Sequence, residues 1–150
     1  TLNRPPVQPT NVSPADGAAD VGLTANMQSS AFSDPDAGDT HAASQWQVTM
    51  TAGDYSSPVF DSGTDALNLT AVTIPEGTLR HATAYYWRVR YQDQHGTWSE
   101  WSPETSFVTA DGAAFPMWAW AAIGAAAALG LVLLAFSVHG RSRERAPAGP

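Results

Sequence analysis

The chain contains no cysteine and no lysine. The first absence removes disulfides and thiolate metal sites. It also removes the disulfide-stapled design common in small extracellular domains of animals. The second, with abundant alanine, points to a bacterial protein from a GC-rich genome. Positive charge is scarce before residue 115: Arg4, Arg80, Arg88 and Arg90 stand against 13 acidic residues, a balance of −9. That balance argues against nucleic acid as a partner. Catalytic framing is lacking as well. No nucleophile elbow or oxyanion glycine run surrounds any serine. His41, His81, His95 and His139 lie scattered without ligand spacing. No catalytic residue and no organic cofactor is expected.

What is present first is one long apolar run. Pro116–Val138 is 23 residues without a charged side chain. As a helix it would reach roughly 34 Å, enough to cross a hydrocarbon core of roughly 30 Å. Arg141, Arg143 and Arg145 follow with Glu144, a local charge of +2. Arginines beside a span stay cytoplasmic, so the N-terminal domain belongs outside, periplasmic or extracellular. The chain thus divides into an extracytoplasmic domain over 1–112, a transmembrane helix over 113–139 and a basic cytoplasmic tail over 140–150. Export requires a signal that is either cleaved or upstream of Thr1. Within the run, Ala122, Ala126 and Gly130 recur every four residues, a spacing that lets another helix backbone come close. Trp118 and Trp120 mark the outer interface with the lipid bilayer. A plain anchor, its alanines reflecting genome composition, is the alternative to a packed helix.

Residues 1–112 carry short alternating segments separated by turn signals. Expected strands are Val7–Val12 at an edge, Leu23–Phe32, Ser44–Met50 with Trp46 and Val48 inward, and a short one ending at Val59–Phe60. Ala66–Ile74 follows, with Leu67, Leu69 and either Ala71 or Val72 buried. Ala84–Gln92 is the strongest, with Tyr85, Trp87, Val89 and Tyr91 inward and Tyr86, Arg88 and Arg90 outward. Thr105–Thr109 closes the set. Residues 33–43 read as a loop. Seven short strands at this spacing predict a mainly β, seven-stranded antiparallel sandwich.

Leu79-x-His81-x-Thr83-x-Tyr85 resembles the L-x-P-x-T-x-Y tyrosine corner of fibronectin type III domains, with His81 in place of proline. Trp46 stands where that family keeps its core tryptophan. The resemblance covers about residues 5–110 and implies an immunoglobulin-like fold, which hosts many unrelated binding roles. Trp98-Ser99-Glu100-Trp101-Ser102 is similar to the W-S-x-W-S box of cytokine receptors. That likeness implies a ladder in which Arg88 and Arg90 interleave with Trp98 and Trp101. In that family the ladder mainly rigidifies the domain. Exposed Trp and Arg also suit a partner-binding platform.

Asp34, Asp36 and Asp39 place three carboxylates in six residues. Calcium takes several hard oxygens of this kind. The alternative is a solvated turn in which aspartate caps its own backbone. The functional reading is a non-enzymatic, single-pass accessory subunit of a larger bacterial membrane complex. Its helix docks against other spans and its sandwich braces partners outside. Respiratory and photosynthetic energy-converting assemblies are a class that fits. The alternatives are a membrane-anchored adhesin or receptor-type module, and the C-terminal part of a longer exported protein.

Overall fold

The computed structural model describes residues 2–112, which lie within one compact unit, Thr1–Gly112. The apolar run, its residues Trp118, Trp120, Ala122, Ala126 and Gly130, and the basic tail lie outside the described residues. Among the described residues no helix is long and apolar enough to cross a membrane.

Eight strands form two sheets: β1 (Asn11–Ser13), β2 (Ala18–Val21), β3 (Asn26–Ser29), β4 (His41–Thr49), β5 (Phe60–Asp61), β6 (Ala71–Thr73), β7 (Ala84–Asp93) and β8 (Thr105–Thr109). One sheet has the order β1-β3-β6 and the other β2-β8-β7-β4-β5. The expected sandwich is therefore found, with two corrections. There are eight strands among the described residues, not seven, and the sheets are not wholly antiparallel. The added strand β2 pairs parallel with β8, Ala18 opposite Phe107 and Val21 opposite Thr109, across an irregularity.

The core is what alternation predicts for β4 and β7. Trp46, Val48, Tyr85, Trp87, Val89 and Tyr91 are all fully buried and are joined by Met27, Ile74 and Phe107. The Trp46 and Trp87 rings stack with centroids 6.1 Å apart. Trp46 Nε1 donates to the Asn68 carbonyl at 2.9 Å. Trp87 Nε1, by contrast, is buried without a hydrogen-bond partner.

β4 begins at His41, inside the stretch 33–43 expected as a loop, because His41 and Ala43 pair with Asp93 and Gln92 of β7. Three other strand boundaries also differ from expectation for identifiable reasons. β1 begins at Asn11, not Val7, because Pro5, Pro6 and Pro9 offer no N–H to a ladder. Val7 instead donates its N–H to the Ser33 carbonyl. β3 shortens to Asn26–Ser29, leaving Leu23 and Phe32 packed at the core's rim. β6 starts at Ala71, and Leu67, expected inside, is 91% exposed. The Asp65 carboxylate accepts the N–H groups of Leu67 and Asn68, at 2.8 and 3.0 Å, and turns the chain there. Leu69, also expected inside, is half-buried, whereas Val72 is buried as one of the two expected alternatives and Ile74 joins it in the core.

The tyrosine corner forms despite the missing proline. Tyr85 Oη accepts the Arg80 N–H at 2.9 Å. His81 Nδ1 lies 3.0 Å from the Ala110 carbonyl, and Thr83 Oγ1 donates to the His81 carbonyl at 2.8 Å. The imidazole thus fastens the corner to the end of β8 where a proline would only have stiffened it.

Candidate functional site

The outer face of the five-stranded sheet is built by β7 and the segment after it. Alternation sends Arg88 and Arg90 outward because Trp87, Val89 and Tyr91 are inward. Register then sets their neighbours: Arg90 lies opposite Gln45 and Arg88 opposite Gln47 on β4. Each guanidinium donates twice to the amide oxygen facing it. Arg90 reaches Gln45 Oε1 at 3.1 and 2.7 Å, and Arg88 reaches Gln47 Oε1 at 3.0 and 2.7 Å. The amide nitrogens of Gln45 and Gln47 turn to Asp61 on β5.

Aromatic rings close over the guanidinium planes. Arg90 Cζ lies 4.5 Å from the Trp98 ring and 4.6 Å from the Trp101 ring. Arg88 Cζ lies 4.2 Å from Trp101 and 3.8 Å from Tyr55. The result is one stack in the order Trp98, Arg90, Trp101, Arg88, Tyr55. Four of these five positions follow from the sequence. Tyr55 is added by the structure, and its hydroxyl donates to Glu104 Oε2 at 2.7 Å. All five side chains are half-buried, so their edges still meet solvent.

The two serines of the box do the positioning. Ser99 donates its N–H to the Tyr91 carbonyl at 2.8 Å while its Oγ accepts the Tyr91 N–H at 3.0 Å. Ser102 does the same with Val89, at 2.8 and 3.0 Å. Each serine thereby completes both backbone bonds of one β7 residue. The serines are three apart while their partners are two apart, so Glu100–Trp101 bulges outward and lays the indole across the arginines. Sequence reasoning missed this role, although the S-x-x-S spacing beside an alternating strand is its signal.

Electrostatics keeps the face in one state. Burial would push the Asp61 carboxyl up, but hydrogen bonds from Gln45, Gln47 and Gly63 and the nearby Arg90 charge hold it below its ordinary value. Burial, then the bond to Glu104, pushes the Tyr55 hydroxyl far above the usual phenol range. Burial and the adjacent Arg88 charge lower Arg90.

The aspartates of the loop between β3 and β4 divide. Asp36 is taken by Arg4, whose Nη2 lies 2.8 Å from Oδ1 and whose backbone N–H donates at 2.7 Å to Oδ2. Asp34 and Asp39 turn instead toward Asp93, the last residue of β7, and an oxygen of each lies within 4.8 Å of the others. The sequence grouping of Asp34, Asp36 and Asp39 is thus replaced by Asp34, Asp39 and Asp93. Asp93 was legible in principle, since it is the next inward position after Tyr91.

One apparent catalytic pair is structural. His41 Nε2 and Ser44 Oγ are 2.9 Å apart, but Ser44 is fully buried and its hydroxyl donates to the Leu69 carbonyl.

The comparisons agree with this geometry in fold. The family described as Rha78A-like, N-terminal immunoglobulin domain matches residues 28–111, which include the whole ladder. An α-L-rhamnosidase from Streptomyces avermitilis, complexed with L-rhamnose, is 26% identical with a TM-score of 0.57, over 71% of this chain and 10% of that one. An α-L-rhamnosidase from Dictyoglumus thermophilum is 17% identical with a TM-score of 0.56, over 72% of this chain and 12% of that one. The sixth fibronectin type III domain of human fibronectin type III domain containing protein 3 is 14% identical with a TM-score of 0.50, over 77% of this chain and 93% of that one. The last two share the fold alone. The chain spans about a tenth of the length of the rhamnosidases it matches. No curated protein matches it.

Proposed function

The chain belongs to the Rha78A-like N-terminal immunoglobulin domain family, and from that premise we propose that it is a non-catalytic accessory module making protein–protein contacts through the outer face of its five-stranded sheet. The observation that carries this reading is the ladder of Trp98, Arg90, Trp101, Arg88 and Tyr55. Tryptophan, tyrosine and arginine are the residues that most often dominate interface energetics. Here they are already ordered, so a partner meets a surface that loses little side-chain entropy on binding. The apolar run Pro116–Val138 and the arginines after it support presentation of this face outside a bacterial cell membrane. On that reading the module is a single-pass accessory subunit of a membrane complex, with other membrane proteins as its partners.

A second reading rests on the 26% identity to the Streptomyces avermitilis rhamnosidase. The module would then be an accessory domain of a longer exported protein acting on carbohydrate, with catalysis carried elsewhere.

Gentle solubilisation of the native membrane, followed by size exclusion and mass spectrometry, tests both. The first reading expects polytopic proteins at fixed stoichiometry with this chain, and their loss when Trp98 and Trp101 are replaced by alanine in a variant that still melts cooperatively. The second expects the native polypeptide to be several times longer than 150 residues. A chain of this length that migrates alone overturns both.

A further inference from the structure

We propose that Asp34, Asp39 and Asp93 hold a calcium ion at the end of the sandwich where the β3–β4 loop meets the β7–β8 turn. The three carboxylates each bring an oxygen within 4.8 Å of the others. Ligands on opposite sides of one calcium are separated by about 4.8 Å, twice its usual oxygen distance of about 2.4 Å. Three oxygens so spaced lie within about 2.8 Å of a common centre, and side-chain adjustments of a few tenths of an ångström bring all three onto one ion.

Two oxygens are left over by the loop's own bonding. Asp34 Oδ1 accepts the Asp36 N–H at 2.8 Å, and Asp39 Oδ1 accepts from Gln94 Nε2 at 3.2 Å. Asp34 Oδ2 and Asp39 Oδ2 are buried and have no partner. The Asp39 side chain is only 10% exposed. A nine-tenths buried carboxylate with an unpaired oxygen, set against two more carboxylates, is costly unless a cation meets it.

The local cations do not serve. Among the described residues, Arg4 is spent on Asp36, and His95 lies 3.4 Å from Asp39 Oδ1, not on the unpaired oxygen. Asp93 is 1% exposed and is oriented by the N–H groups of His95 and Thr97 and by Asn3 Nδ2, at 2.8, 2.9 and 2.8 Å. Such outer bonds fix ligands in established metal sites.

The donor chemistry selects the metal. All three donors are hard carboxylate oxygens, and the chain has no thiolate, which favours calcium over zinc or copper. The remaining ligands are waters. A groove of about 520 Å³ lined by Asn3, Asp36, Asp39 and His95 borders the site at Asp39. Bound calcium would tie the N-terminal segment, the β3–β4 loop and the end of β7 together. Affinity near 10⁻⁴–10⁻³ M, about that of extracellular calcium modules, is expected.

The test is thermal unfolding and calorimetric titration of the full chain with calcium chloride, against magnesium chloride and a chelator. One calcium per chain should bind, and millimolar calcium should raise the melting temperature by several degrees, with magnesium at least tenfold weaker. Asp39→Asn and Asp93→Asn should each weaken binding at least tenfold, while Asp36→Asn should leave it within twofold. In chelator, Asp39→Asn should melt no lower than the parent, because it removes like-charge repulsion; in calcium it should melt lower. No heat and no shift at 5-fold the upper expected Kd, about 5 mM, overturns the proposal. So does an Asp39→Asn difference that is the same with and without calcium, or binding lost in Asp36→Asn.

Discussion

If the arginine–aromatic stack stabilises the domain pair by pair, Arg88 and Trp101 will show a coupling that Arg88 and Trp98 do not. Arg88→Met keeps most of the aliphatic stem over the rings and removes the charge and the fork. The single change removes two cation–π contacts, at 3.8 and 4.2 Å, and both hydrogen bonds to buried Gln47. Half-buried cation–π pairs contribute about 1 kcal/mol each. An amide oxygen losing charged donors costs about 1–3 kcal/mol. The single variant should therefore lose about 3–5 kcal/mol, less whatever is regained by not burying a charge. The double-mutant cycle with Trp101→Leu isolates the one shared contact, and a coupling of about 1 kcal/mol is expected. The same cycle with Trp98→Leu should give about zero, since Trp101 and Arg90 lie between them in the stack. Thermal unfolding of the full chain suffices, because 1 kcal/mol moves the midpoint of a domain this size by about 4 °C or more. A coupling below about 0.3 kcal/mol for Arg88–Trp101 would refute the ladder as a source of stability. The Gln47 bonds and the Tyr55 contact would then account for the loss.

Two further outcomes follow from single groups. Tyr85→Phe removes the acceptor of the Arg80 N–H at 2.9 Å and should cost about 0.5–1.5 kcal/mol; no change in the melting midpoint would mean that the corner is held by His81 and Thr83 instead. His41 stacks on Phe32 and lies tilted against Tyr91, with centroids 4.7 and 4.3 Å away. Burial lowers its pKa below the ordinary 6.5, against a smaller opposing bond from Ala43. Because the folded form resists protonation, the unfolded chain takes up more protons as pH falls below about 6.5. Stability should therefore be complete above that pH and decline below it. The aspartates with lowered values act only in a lower window, near 3.8 and beneath. The His41→Gln variant should flatten the upper decline in melting midpoint between pH 7 and 5; an unchanged slope would assign it to other groups.

The parts of this molecule that were legible in the sequence are those where one strand states its own burial. β7 alternates without a break, so both its core residues and its arginines could be placed. β2 could not. Ala18–Val21 has no alternation, and its pairing is dictated by the free edge of β8 rather than by its own side chains. Leu67 misled because an aspartate two residues earlier turns the backbone, and local hydrogen bonding overrode hydropathy. The acidic cluster shows the same limit at longer range. Asp36 is adjacent to Asp34 but is captured by Arg4, 32 residues earlier, while Asp93 enters from another strand. Spacing alone does not carry that exchange.

The ladder and the core are not independent designs. Because side chains alternate strictly along a strand, a one-residue slip of β7 would place Arg88 and Arg90 where Trp87, Val89 and Tyr91 are fully buried. Desolvating two guanidinium groups and turning Tyr85, Trp87 and Tyr91 outward makes that register far less stable. The core therefore sets the outward direction of both arginines before any indole touches them. Ser99 and Ser102 then fix the tryptophans to the backbone of the same strand, not to one another. It follows that the exposed face inherits the rigidity of the interior. A loop-borne platform would have to be ordered on contact. A platform ordered in this way can be selective with few residues, which is what the proposed interaction role asks of a domain of this size.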